Sequence, residues 1–352
     1  MPATPDPVMD SLFAAPLVAA VISAAAVFVL WRKASALPPD IPNRRSLHVT
    51  PVPRAGGYAV WLGYLASTFI AAPPFPGGVL AWLPAWAALA GVSALDDIRE
   101  VRVLPRLAVH GGAALWTAYF LATHWRAPLD MFSVAALTLV LAVAIAWSSN
   151  LYNFMDGTDG LAASMGAIGF TAYALVFLVA EDARALQAWA PACLAVAAAI
   201  LPFLAVNRPP ASMFLGDAGA VPLGYLAAAF GAAGVGAGAW PVWFPLLVFL
   251  PFVGDATLTL VRRARRGERL WEGHRGHFYQ RLHQLGAGHA GTLAVYVAAM
   301  IGSAGTALVC RVRAPDSGWW ALAAWIAVVC MLFATIDYHW RKKTNIPAHL
   351  PP

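Results

Sequence analysis

Long apolar runs separated by short polar turns dominate this chain, and their length points to a fold before any motif is read. Eleven runs have cores near 9–31, 56–73, 79–95, 105–123, 131–148, 161–180, 186–206, 219–237, 240–260, 289–310 and 318–337. A run of about 20 residues rises ~30 Å as a helix, the thickness of a bilayer's hydrocarbon core. Backbone groups in hydrocarbon need internal partners, so the runs predict helices. The expectation is an all-α integral membrane protein, a polytopic bundle of about 11 (10–11) transmembrane helices forming one domain over 1–352. No internal repeat or soluble domain interrupts the pattern, and the longest non-apolar segments are 32–54 and 261–288.

Composition agrees. The chain is 60% hydrophobic and 11% charged, with mean hydropathy +0.66, which excludes an ordinary soluble domain. A net charge of +6 in such a chain reads as cytoplasmic loop bias and contact with anionic membrane lipid, not as a nucleic-acid surface. If the loop after the first run is cytoplasmic, alternate loops on that side collect 19 of the 23 Lys and Arg residues. This predicts an amino terminus outside and a carboxyl terminus in the cytoplasm. Asp6 and Asp10 replace a basic leader, and Trp31-Arg32-Lys33 follows the first run, which suits a retained helix better than a cleaved signal. Cys193, Cys310 and Cys330 lie in apolar runs without metal-like spacing and read as packing residues.

The same alternation sets the rare acidic and amide residues on one face. They fall in the segments 96–105, 149–160 and 207–218, with 32–54 and 261–288 on the same side. Ionisable groups beside a bilayer are costly and are functional candidates by default. Asp96 and Asp97 are adjacent carboxylates that could act as a base or steer a metal–phosphate complex, or simply end a helix in solvent. Asn150, Asn153 and Asp156 recur every third residue, so one helix face presents oxygen ligands suited to Mg²⁺. Asp156-Gly157 and Asp159-Gly160 also read as turns, with Asp159 a candidate cap for the next helix. Asp217 opens a run where an N-cap is equally natural, and Asn207 before Arg208-Pro209 fits an amide reader or a helix terminus. His274, His277 and Arg281 lie in the basic segment and supply the donors a pyrophosphate requires.

Taken in order, these pieces resemble a known family. Pro42-Asn43-Arg44-Arg45-Ser46-Leu47-His48 with Pro53-Arg54-Ala55-Gly56-Gly57, Asp96-Asp97, Asn150-x2-Asn153-x2-Asp156-Gly-x-Asp159-Gly, Asn207, Phe214-Leu-Gly216-Asp217, Asp255 and His274-Arg-Gly-His277 run through nearly the whole chain. They resemble the polyprenyl-phosphate N-acetylhexosamine-1-phosphate transferases, glycosyltransferase family 4. His277-Phe-Tyr279-Gln280-Arg281-Leu282 looks like the form in O-antigen initiating enzymes that use N-acetylfucosamine or N-acetylquinovosamine donors. The triple-histidine motif of the muramoyl-pentapeptide enzymes is missing.

The resemblance implies transfer of a sugar 1-phosphate from a UDP-N-acetylhexosamine to undecaprenyl phosphate with release of UMP, initiating O-antigen or other cell-surface polysaccharide synthesis. It implies Mg²⁺, with Mn²⁺ as a substitute, held by Asp217 and Asn153. It sets Asp156 beside them, Asn207 toward the nucleotide, and Asp96 and Asp97 near the acceptor phosphate. His277, Arg281 and His274 contact the donor phosphates, Asp255 organises their loop, and homodimers are frequent. Alternatives are an N-acetylglucosamine or muramoyl-pentapeptide transferase of the family and, outside it, a lipid or sugar transporter. Pro241, Pro245, Pro251 and Gly254 interrupt the ninth run, and the bend they cause is expected to open a prenyl groove toward Asp96 and Asp97 or to be filled by packing.

Overall fold

The computed structural model describes residues 7–42, 46–99, 101–269 and 274–344; Asn43, Arg44 and Arg45 of the first motif lie outside these described residues. The chain is helical almost throughout. In order it forms α1 (Pro7–Arg32), a short antiparallel pairing of β1 (Pro39–Asp40) with β2 (Val52–Pro53), α2 (Gly56–Ser67), α3 (Val79–Ile98), α4 (Val103–Thr123) and α5 (Met131–Met155). Then come α6 (Leu161–Val179), α7 (Trp189–Asn207), α8 (Asp217–Ala237), α9 (Trp243–Val248), α10 (Leu250–Arg265), α11 (Phe278–Leu282), α12 (Gly288–Arg313) and α13 (Gly318–Thr344). Among the described residues, eight helical segments are long and apolar enough to cross a membrane. The protein is a multi-pass membrane protein.

The helix α8 occupies the centre, packed by α2, α3, α4, α5 and α6, while α1 and α7 close one flank and α12 and α13 the other. Its sequence is mostly Ala and Gly, which lets neighbouring backbones approach closely where lipid supplies no hydrophobic drive. Ser148 on α5 shows this closeness by donating from Oγ to the Gly224 carbonyl at 2.8 Å.

Two runs depart from expectation. The second forms a helix of only 12 residues that ends at Ser67, after which the chain returns to seat Phe75 against Trp189 and Phe230, 5.0 and 5.1 Å between ring centres. The ninth breaks at Phe249 into α9 and α10, as its prolines require. The Phe249 ring packs against Tyr152 and Tyr173 inside the bend, and the segments pack on α5, α12 and α13. Aromatic packing therefore fills the inside of this bend, the alternative set beside a prenyl groove.

Candidate active site

The polar cluster is built on a backbone clasp. Arg54, just after β2, forms a parallel bridge with Phe214, and the Gly56 and Gly57 N–H groups donate to the Phe214 and Leu215 carbonyls at 2.9 Å. A side chain on Gly57 would lie 2.5 Å from the Gly219 Cα, so only glycine allows this approach. The clasp holds the first residues of α8, Asp217 among them, against the α1–α2 connection.

Asp97 completes the start of α8 from a different helix. Its carboxylate accepts from the Asp217 and Ala218 N–H groups at 3.1 and 3.0 Å, satisfying donors that Gly216, the residue before α8, cannot cap. Arg54 stands 3.8 Å from Asp97 and 2.7 Å from Asp40. The neighbouring Asp96 accepts from the Val101 N–H at 2.9 Å and pairs with Arg106, whose guanidinium also lies 4.0 Å from Asp217. From α5, Asn153 donates its amide to Asp217 at 3.2 Å. Asp156, just past the end of α5, feels the same crowding: burial, then the Asp217 charge, pushes its carboxyl well above the usual range.

A second centre adjoins this one through α5. Asp255 is fully buried and accepts from the Phe278 and Tyr279 N–H groups at 2.9 Å, from Tyr296 and Thr259, and faces His277 Nδ1 at 3.2 Å. Its carboxylate is thus committed to fixing α11 and the His277 ring. That ring stacks on Phe154 of α5 at 6.0 Å and on His274 at 4.7 Å. Tyr279 donates to the Phe154 carbonyl at 3.0 Å, and Arg275 donates to the Ser46 carbonyl at 2.6 Å. Contacts therefore link all five polar segments, 32–54, 96–105, 149–160, 207–218 and 261–288.

Some candidates turn elsewhere. The Asn150 amide donates to the Ala146 carbonyl of its own helix at 2.7 Å, one turn from Asn153. Asn207 is buried and clamps two connections, accepting from the Gly160 N–H at 2.9 Å and donating to the Met213 carbonyl at 2.8 Å. Arg281 pairs with Asp337 on α13 and lies over the Phe278 and Trp340 rings, and with His274 it lines a small cavity on the α10–α11 side, away from Asp217. Asp159 is not the cap of α6: Gly160 takes that position, while Asp159 accepts from the Ala211 N–H at 2.9 Å and faces His289 at 3.3 Å. Sequence reasoning passed over Arg54 and Arg106 as site cations; Arg54 stood only as a member of the first motif, and the signal of Arg106 is a basic residue at the edge of an apolar run.

Similarity to known proteins bears on this architecture. The model of glycosyl transferase family 4 matches residues 79–234, the stretch that carries Asp97, Asn153 and Asp217. The decaprenyl-phosphate N-acetylglucosaminephosphotransferase of Mycobacterium leprae is 32% identical over 283 residues, covering 70% of each chain. The chain belongs to glycosyl transferase family 4. Further relatives of this family-4 member are the probable undecaprenyl-phosphate N-acetylglucosaminyl 1-phosphate transferase of Bacillus subtilis, 26% identical over 275 residues, 75% of this chain and 74% of that one. A phospho-N-acetylmuramoyl-pentapeptide-transferase of Synechococcus is 42% identical over a shorter 115 residues, 33% and 29% of the two chains.

Among the described residues, no three His, Cys, Asp or Glu side chains converge to hold a metal unaided. Mg²⁺ typically takes one or two protein oxygens and fills the rest with phosphate and water. Asp217, its side chain 26% exposed, with Asn153 against it, is such a donor set.

Proposed function

We propose that this family-4 protein transfers an N-acetylhexosamine 1-phosphate from a UDP-sugar to a polyprenyl phosphate and releases UMP, at the cytoplasmic face of a bacterial inner membrane. The convergence of Asp97, Asp217, Asn153 and Arg106 at the ends of four helices carries the reading. Transporter sites sit near the midplane on broken helices, whereas these residues gather at helix termini. The relatives' names supply the polyprenyl phosphate and the amino sugar. Asn153 and Asp217 are the residues we assign to Mg²⁺, with Asp156 beside them. When bound, the ion would neutralise charge on the transferring and leaving phosphates.

In this reading an oxygen of the polyprenyl phosphate attacks the β-phosphorus of the UDP-sugar, and the bond from that phosphorus to the bridging oxygen breaks as UMP departs. The acceptor needs no strong base, since a phosphate monoester with a second pKa near ~6 is largely dianionic at neutral pH. Asp97 fixes the start of α8, and with it Asp217. Asp255 turns His277 so that Nδ1 faces inward, which leaves Nε2 for a donor phosphate oxygen. Asp96 and Arg106 form a paired boundary on the acceptor side. Initiation of O-antigen or other cell-surface polysaccharide synthesis is the role that fits the product.

The test is purified protein with undecaprenyl phosphate, Mg²⁺ and a panel of UDP-N-acetylglucosamine, UDP-N-acetylfucosamine, UDP-N-acetylquinovosamine and UDP-N-acetylmuramoyl-pentapeptide. Release of UMP together with a lipid-linked sugar phosphate is expected with at least one aminohexose donor. No product with any of them sinks the proposal.

A further inference from the structure

His110, on α4, is a residue that nothing above accounts for. It is 3% exposed, and among the described residues neither Nδ1 nor Nε2 has a hydrogen-bond partner. Buried polar groups are nearly always paired, and an orphaned one calls for a reason. Ser93 on α3 is in the same condition, 1% exposed with its Oγ unpartnered.

The helix register brings these two together. Arg106 pairs with Asp96, and farther along the Thr117 hydroxyl donates to the Ala81 carbonyl at 2.8 Å. These two ties fix α3 and α4 as antiparallel neighbours and put Ser93 and His110 at one level, a helical turn inside the Arg106–Asp96 pair. An unpartnered hydroxyl and an unpartnered imidazole thus lie buried one turn below the Arg106 guanidinium, which reaches to 4.0 Å from Asp217. Each of these groups can donate a hydrogen bond, and with the donor-only Arg106 charge above them the set fits an anionic oxygen.

The rim identifies which anion. Leu95, Ile98, Leu104 and Leu107, on the same ends of α3 and α4, expose 52%, 67%, 79% and 48% of their surface. A ligand crossing this rim arrives from the lipid, and a hydrophilic nucleotide does not. We infer that His110, with Ser93, binds the phosphate head of the polyprenyl acceptor between α3 and α4, Arg106 exchanging Asp96 for a phosphate oxygen as it enters. The inference rests on the acceptor assigned in the proposed function. It adds ligands on a helix that the metal-site carboxylates do not occupy.

The experiment uses the full chain in detergent and reads its thermal midpoint with undecaprenyl phosphate, with uncharged undecaprenol and with inorganic phosphate, alongside steady-state kinetics. Undecaprenyl phosphate is expected to raise the wild-type midpoint, with undecaprenol and inorganic phosphate inert. His110→Leu is expected to melt higher than wild type when free, since it deletes an unsatisfied buried group. It should also lose most of the lipid-phosphate increment. Its KM for undecaprenyl phosphate should rise tenfold or more while the KM for the UDP-sugar stays within twofold. His110→Gln, which keeps a donor, should recover part of that loss, and Ser93→Ala should show a smaller shift of the same sign. A His110→Leu protein that melts lower and keeps the full increment would show a merely structural imidazole and overturn the inference, as would an unchanged acceptor KM in both His110→Gln and Ser93→Ala. An equal increment from inorganic phosphate overturns the lipid assignment. Absence of any increment in the wild type refutes the acceptor itself, and the role of His110 falls with it.

Discussion

Two aspartates in contact divide the labour of the site, and substitution should separate them. Asp97 accepts two α8 N–H groups and is a helix cap supplied from α3, whereas Asp217, whose backbone it holds, presents its own carboxylate outward. Asp97→Ala should lower stability by about 1–2 kcal/mol, the usual cost of a lost cap reinforced by the helix dipole. Asp97→Asn, which still accepts, should keep most of that stability in a thermal-unfolding assay. Asp217→Asn should leave the midpoint almost unmoved and reduce kcat by about 10²–10³-fold or more, as loss of charge stabilisation does. Equal melting losses in both alanine and asparagine variants of Asp97 would refute the cap. His274 makes a separate prediction about pH. Burial, then the neighbouring His277 and Arg263, push its pKa from 6.5 down to about 3. The neutral ring is favoured in the folded state, so between these values the unfolded chain binds more protons and stability rises with pH. The thermal midpoint should therefore fall as pH drops from about 6.5 toward 3, with the contribution complete above 6.5. His274→Gln should flatten that slope, and an unaltered slope would remove His274 as its source.

At the scale of elements, the join between α5 and α11 decides whether the two polar centres act together. Gly157 lies where a Cβ would come 2.0 Å from the Tyr279 hydroxyl, the same hydroxyl that donates to the Phe154 carbonyl. Gly157→Ala should displace Tyr279, tilt the His277 ring off Phe154 and depress turnover by at least an order of magnitude. Adding Tyr279→Phe removes the clashing atom, so the double variant should be more active than Gly157→Ala alone. Additive losses in that cycle would show that the two residues are not coupled. Such joins explain what the sequence did and did not disclose. Apolar runs announced nearly every long helix, because a bilayer imposes a minimum length on each. Asp217 and Asn153, suspected from the motif order, do touch. Hidden from sequence were contacts between distant residues: the Arg54–Phe214 bridge, the cap from Asp97, the Asn207 clamp and the burial of Arg281 on Asp337. Spacing along one chain carries local periodicity, and none of these pairs is local. The second run misled for a similar reason, since its last residues turn back to seat Phe75 in an aromatic nest made by α7 and α8.

At the scale of the whole molecule, the charge count and the geometry make a joint statement that labelling can test. All five polar segments are tied to one another, and α13 ends beside them: Asp337 pairs with Arg281, and Lys343 donates to the Gln284 carbonyl at 2.5 Å. The opposite end of the bundle is marked by Arg311, which donates to Asp182 at 2.8 Å and to the Ala239 carbonyl at 2.7 Å. The orientation we propose from positive-inside bias sets the α13 carboxyl end, and hence the site, in the cytoplasm, where a soluble UDP-sugar is made available. Asp316→Cys, just before α13, and Lys342→Cys, in its last turn, lie on exposed positions at opposite ends of the helix and therefore report opposite faces. The native thiols interfere little, since Cys193 and Cys310 are buried and Cys330 sits mid-helix in α13, within a span that hydrocarbon shields from an aqueous reagent. A membrane-impermeant maleimide should label Asp316→Cys in cells whose inner membrane is intact and Lys342→Cys only after that membrane is permeabilised. The reverse pattern would turn the molecule over and put the carboxylate cluster on a face without nucleotide, and the proposed reaction could not then draw on its donor.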